Sequence, residues 1–345
     1  MTLSVHILPE TPSSPPVWVC AELRLINPLN HPSVKNRLNA SYSLNGYLPE
    51  GRFDAVMVQR RGWPDLTLIR AQELVRTVRA RGAKLIYDID DDLLCAHPIP
   101  SVDAELASGR AVILFLAHEA DLIISSTAPL AARMVTCPAP KRVWRNAIDE
   151  RLLGKPAWTP LRPGKRQVVG YAGTQSHLRD LLSVTESLRG TLMERADRVG
   201  LDFMGTADVD HLKSLFGPLL TNAPRPITDY RSYLQTMQIK IRWDVAIAPL
   251  LDCAFNTSKS DIKFLEYASF GIPGVYSTSS AYEAVINGEL GILAEHVDFG
   301  RAILDLLEAP ERRRIIAQNA YDYVMQERTL ANNSHELISI IETAL

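Results

Sequence analysis

Cysteine is scarce and scattered. The 345-residue chain has four, Cys20, Cys95, Cys137 and Cys253, with no C-x-x-C pair and no histidine pattern beside them. That excludes a zinc finger and a disulfide framework, and it suits a reducing compartment. Also missing is any run of the roughly 18 apolar residues that a membrane-spanning helix needs. The opening MTLSVHILPETPSSPP has neither the basic nor the long apolar stretch of an export signal. The expected location is therefore the cytoplasm. Neither sign of charge is in excess: a formal net charge of −2 and the absence of a basic tail argue against general nucleic-acid binding. There is no internal repeat, no G-x-G-x-x-G fingerprint and no Walker loop.

What remains is a chain longer than one hydrophobic core usually serves, so two domains are expected. Short apolar runs bounded by turn residues recur as LSVHIL, DAVMVQ, KLIYDI, DLIISS and RVWRN in the first half. Each reads as a buried parallel strand, and amphipathic stretches such as Leu66 to Arg81 and Ala104 to His118 lie between them. The alternation predicts an α/β layered domain over residues 1–155. Prolines 156, 160 and 163 with Gly164 mark a linker at 156–166. A second parallel sheet is expected over 167–330 from QVVGYAG, LDFMG, WDVAIAPL and GIPGVYS. The chain ends in helices, with 331–345 expected as a terminal helix that packs back on the first domain.

Three stretches carry candidate chemistry. In FNTSKSDIKFLEYASFGIP, Lys259, Lys263 and Glu266 fall within an arc of roughly 60° on a helix. Ser258 and Asp261 read as a capping box that starts this helix, so its free N–H groups and both lysines would suit an anion. A solvated, charged helix face is the plain alternative. In GYAGTQSHL, small residues Gly173, Thr174 and Ser176 follow a strand, where backbone N–H groups can approach a phosphate; a tight turn alone explains them equally. In YDIDDDL, carboxylates Asp88, Asp90, Asp91 and Asp92 follow another strand. They could hold Mg²⁺ or Mn²⁺, or cap the helix behind them. His177 could donate to a phosphate, and Asp180 reads as a loop-fixing residue. Arg24, Arg60 and Arg61 could reach a diphosphate or simply lie at the surface. Arg312, Arg313 and Arg314 read as a solvated helix face, with contact to a membrane surface open.

Together GYAGTQSH, WDVAIAPL and FNTSKSDIKFLEYASFGIPGVYS resemble the donor domain of GT-B glycosyltransferases near glycosyltransferase family 4, in the same order. RVWRNAID resembles the strand-Asn-x-x-Asp ending of the matching acceptor domain. The resemblance implies an α/β GT-B fold, two Rossmann-like domains facing across a cleft with C-terminal helices. It implies a nucleotide-diphosphate sugar as donor, no further cofactor, and transfer with retention to a saccharide, lipid-linked, protein or other hydroxyl acceptor, in glycan or polysaccharide biosynthesis. Location would be cytoplasmic, with peripheral contact at the inner membrane surface left open.

Carried over by position, Glu266 matches a ribose-hydroxyl ligand, while Lys259 and Lys263 lie where basic groups meet the diphosphate. Gly173 and Thr174 match the glycine-rich turn on its other side, and His177, Asn256, Ser258 and Ser260 complete the donor set. Asp90 stands where the family often has a histidine, facing the sugar or assisting proton transfer. Arg24, Asp88 and Asp91 are the remaining acceptor candidates, and Lys263 and Glu266 join Asp90 as catalytic candidates. No metal is expected, since the lysines supply the charge a metal would. The usual first glutamate is here Ser258. That departure keeps a sugar-nucleotide epimerase or hydrolase, and a non-catalytic nucleotide-sugar or glycan-binding protein, as alternatives.

Overall fold

The computed structural model describes residues 2–11, 19–156, 158, 165–205, 209–221 and 229–345. Most of the expected linker at 156–166 lies outside the described residues. The chain forms two compact units. The first comprises Met1–Glu150, Ala254–Ser260 and Arg328–Leu345; the second comprises Arg151–Cys253 and Asp261–Glu327.

The first unit holds a six-stranded, wholly parallel sheet of β1 (Leu3–Leu8), β2 (Leu38–Tyr42), β3 (Ala55–Gln59), β4 (Lys84–Ile89), β5 (Leu122–Ser125) and β6 (Lys141–Val143). Their order is β2-β1-β3-β4-β5-β6. Successive residues of a strand point to opposite faces, and here both faces are apolar. Val56 and Val58 pack with the helices Leu68–Ala80 and Arg110–Glu119. Ala55 and Met57 pack on the other side with Leu25, Trp144 and the terminal helix Leu330–Glu342, through Leu337, Ile338 and Ile341. Strand β2 shows no apolar run because it is a largely exposed edge. The stretch expected as one helix from Ala104 to His118 is two, Pro100–Ala107 and Arg110–Glu119, separated at Ser108 and Gly109.

The second unit holds a five-stranded parallel sheet of β7 (Gln167–Ala172), β8 (Val199–Met204), β9 (Val245–Ala248), β10 (Gly274–Ser277) and β11 (Ile292–Ala294), in the order β11-β10-β9-β7-β8. Val169, Tyr171, Leu201, Phe203, Val245, Ile247 and Val275 form one core with the helices Thr185–Leu192 and Phe299–Glu308. On the other face Gly170 makes room for an indole. A Cβ there would lie 1.7 Å from Trp243, whose Nε1 donates to Asp202 at 2.8 Å. Of the arginines expected on a solvated face, Arg313 is instead buried and faces Asp244 at 3.7 Å. Arg314 does lie outside, paired with Glu311 at 2.7 Å. No helix among the described residues is long and apolar enough to cross a membrane.

Candidate functional site

In each parallel sheet the chain leaves the first strand in one direction and later returns on its other side, so a crevice opens at the carboxyl ends of the two central strands. In the second unit those strands are β7 and β9. Strand β7 runs into the turn quoted above. Gly173 N donates to Met204 O at 2.9 Å, and a Cβ at Gly173 would lie 2.6 Å from the Tyr171 hydroxyl, so the turn needs a glycine there. Thr174 is exposed, and its hydroxyl is 2.8 Å from that of Ser176. His177 Nδ1 meets the Asp180 carboxylate at 2.8 Å. The other Asp180 oxygen accepts from Leu251 N at 2.9 Å. Asp180, itself buried, thus ties the turn after β7 to the chain after β9, which is the loop-fixing role expected of it.

The helix against this turn is Ile262–Ser269. It starts later than the capping-box reading requires. Ser258 ends a single tight turn, Asn256–Ser258, and Lys259 is extended at φ −63° and ψ 152°. Asp261 precedes the helix with no capping hydrogen bond from its side chain. Lys259 is therefore not on the helix, and the lysines do not share a face. Lys263 Nζ donates to Ala172 O at 2.7 Å and lies 5.5 Å from the centre of the Tyr171 ring. One turn on, the Tyr267 hydroxyl accepts from Ala172 N and donates to Ile247 O, both at 3.1 Å. Lys263 and Tyr267, four residues apart and hence stacked on one side, hold both polar atoms of the last residue of β7.

Glu266 does not join a solvated stripe either; it is 8% exposed. The Tyr233 hydroxyl donates to its carboxylate at 3.0 Å. Burial pushes its pKa up to about 7, with Lys263 and the Tyr233 hydrogen bond acting against that rise. A carboxyl poised near neutrality in this way can switch between accepting and donating.

The first unit gathers the aspartate stretch. Arg24, in a wide π turn over Glu22–Ile26 that directs its side chain inward, is fully buried and meets Asp88 at 2.7 Å. It also donates to Trp144 O at 3.0 Å and Asn146 Oδ1 at 2.9 Å. The surface reading of Arg24 is thereby corrected: it is the buried partner of Asp88. Burial pushes the Asp88 carboxyl up, and Arg24 holds it down. Arg60, at φ 49°, contacts Glu10 at 2.8 Å, Asp90 at 2.9 Å and Asp91 at 3.5 Å. Arg61 bonds the other Glu10 oxygen at 3.1 Å. Lys259 Nζ is 2.8 Å from Asp91, and Ser260 Oγ accepts from Asn146 Nδ2 at 2.8 Å. Asn256 and Ser258 are buried; the Thr127 hydroxyl donates to Ser258 O at 2.9 Å. Asp92 accepts from Arg133 at 2.8 Å.

Sequence reasoning missed Tyr233, Tyr267 and Glu10. A tyrosine directly after Glu266 was the available sign. Among the described residues His31, Asp149 and Glu150 bring ligand atoms within 4.8 Å of one another. His31 Nδ1 accepts from Ser33 N at 3.2 Å, so Nε2 carries the ring proton and donates it to Glu150 at 2.9 Å. His31 and Glu150 thus satisfy each other as hydrogen-bond partners.

No protein-family profile matches the sequence, and no curated protein is significantly similar to it. Solved structures do match over the whole chain. Anabaena HepE in complex with UDP-glucose superposes with a TM-score of 0.66 at 16% identity, covering 100% of both chains. A glycosyltransferase from Rickettsia africae gives 0.61 at 10%, covering 99% of this chain and 98% of its own. Sucrose-phosphate synthase from Thermosynechococcus elongatus gives 0.56 at 14%, covering 85% and 75%. At these identities the likeness carries the fold: two parallel sheets of six and five strands with flanking helices, in two Rossmann-like domains of the GT-B kind.

Proposed function

We propose that the chain is a glycosyltransferase that takes a sugar from a nucleotide-diphosphate donor and passes it to a hydroxyl group of a saccharide or other acceptor. The observation that carries this reading is the meeting of the Gly173 turn with Lys263, through its 2.7 Å bond to Ala172 O, at the carboxyl ends of β7 and β9. Glu266 follows on the same helix. Backbone N–H groups of the turn and the Lys263 ammonium suit a diphosphate, and a carboxylate suits a vicinal diol such as that of ribose. The bond from the anomeric carbon to the diphosphate breaks, and Lys263 stabilises the charge gathered on the departing oxygen. The acceptor oxygen forms the new glycosidic bond and its proton leaves towards the departing phosphate. Retention, membership of glycosyltransferase family 4 and independence of metal belong to this proposal. In support of the last, Asp88, Asp90 and Asp91 each already face a side-chain cation.

UDP-glucose is the first donor to test, because HepE has been crystallised with it. Thermal unfolding with UDP-, GDP-, ADP-, TDP- and CMP-sugars identifies the donor, since a ligand at 100 times its dissociation constant adds about 2.7 kcal/mol. Failure of every donor to raise the midpoint would overturn the proposal. A second reading, nucleotide-sugar binding without turnover, is favoured by Ser258, whose hydroxyl is buried where the resemblance expects a glutamate. It predicts stabilisation by donor with no release of nucleoside diphosphate.

A further inference from the structure

Strands β7 and β9 pair only through Val169 with Val245 and Gly170 with Ala246. Their outer neighbours continue further: β7 stays paired with β8 as far as Ala172 with Met204, and β9 with β10 as far as Ala248 with Tyr276. The sheet therefore opens along this one seam, and it opens at the carboxyl end. The Tyr267 hydroxyl sits in the opening. It accepts from Ala172 N and donates to Ile247 O, both at 3.1 Å. Those are backbone groups that an unbroken ladder would have bonded directly across the strands. Tyr267 is fully buried, with its ring against Trp243 at 6.0 Å between centroids. Burial pushes its pKa up, so the hydroxyl stays protonated and can do both jobs at once.

We propose that Tyr267 is a wedge that holds β7 and β9 apart and so positions the Gly173 turn to receive the donor's diphosphate. Tyr267 is a positioning residue here; it need not touch the ligand. The inference rests on the reading of the preceding subsection for the identity of the ligand. A side chain chosen only to fill the core would need no hydroxyl, and a phenylalanine would leave a buried N–H and a buried C=O without partners. The hydroxyl instead lets the seam stay open without that penalty.

The test uses UDP as the probe. Calorimetry gives its dissociation constant for the wild type, for Tyr267→Phe and for Leu188→Ala, a core substitution elsewhere in the second unit that controls for lost stability. The expected result is a loss of about tenfold in UDP affinity for Tyr267→Phe, the equivalent of one hydrogen bond, with Leu188→Ala close to wild type. Equal affinity of Tyr267→Phe and wild type, or an equal loss in Leu188→Ala, overturns the wedge. A wild type that does not bind UDP overturns the donor reading instead. Amide exchange in the wild type gives a readout that does not depend on a variant folding. The Ala172 N–H is expected to be protected despite having no strand partner on the β9 side, and free exchange there contradicts the proposal.

Discussion

The Tyr233 hydroxyl donates to the Glu266 carboxylate at 3.0 Å inside the second unit, where both side chains are buried. The carboxyl's pKa lies at about 7 against an ordinary 4.5, mainly because burial disfavours the ionised form. A carboxyl raised in the folded state binds its proton more tightly there than in the unfolded chain, so folding loses stability as pH rises from about 4.5 to about 7 and changes little above that on this account. Replacing Glu266 with glutamine removes the loss. Glu266→Gln is expected to match wild type near pH 4.5 and to exceed it by roughly 3 kcal/mol at pH 8, while binding donor less well. Urea denaturation at the two pH values checks this, and a difference independent of pH would contradict it.

Donor affinity carries the opposite dependence. If Glu266 accepts from a ribose diol as proposed, its ionised form is the one that binds, and UDP-glucose is expected to bind more tightly as pH rises through 7. Calorimetric titration between pH 6 and pH 8 reads this, and Glu266→Gln should flatten the profile.

Arg24 and Asp88 form a fully buried pair. Arg24→Met strands the Asp88 charge and is expected to cost about 3–5 kcal/mol, whereas the double variant with Asp88→Leu should recover much of that. Denaturation of both variants measures the difference. Equal losses would show that the hydrogen bonds to Trp144 O and Asn146, rather than the ion pair, set the cost.

Strands of the second sheet such as VVGYA and VAIA stand out in the sequence because they are buried on both faces, and the same holds for β1, β3, β4 and β5. Strand β2 does not stand out, since LNASY is an exposed edge, and neither does β11, which has three residues. The segments that form the candidate site, GYAGTQSH and SDIKFLEYAS, were legible in the sequence; how their side chains meet was not. Helical spacing groups Lys259 with Lys263, but Lys259 is extended and joined to Asp91, a residue 168 positions earlier in the chain. Arg24 reads as a surface residue until Asp88, 64 positions away, is brought beside it. Burial of Glu266 depends on Tyr233, 33 positions earlier. In each case the deciding partner is distant in sequence, where periodicity carries no information.

Gly170 tests the packing behind the site. A Cβ there meets Trp243 at 1.7 Å, and the indole is fixed by its bond to Asp202. Gly170→Ala is expected to cost about 3 kcal/mol or to prevent folding, as read by thermal unfolding and soluble yield.

Chelation addresses the aspartates. Release of UDP from UDP-glucose is expected to proceed at the same rate in EDTA, because the aspartates that a metal would use are engaged by Arg24, Arg60 and Lys259. A loss restored by Mg²⁺ or Mn²⁺ would assign Asp88 and Asp90 to a metal instead.

If Lys263 and Glu266 hold a sugar nucleotide as proposed, UDP-glucose raises the unfolding midpoint of the wild type and leaves those of Lys263→Ala and Glu266→Ala where they are without ligand. Thermal unfolding of the three proteins with and without UDP-glucose reads this, and a rise of equal size in all three would rule the two residues out as donor ligands.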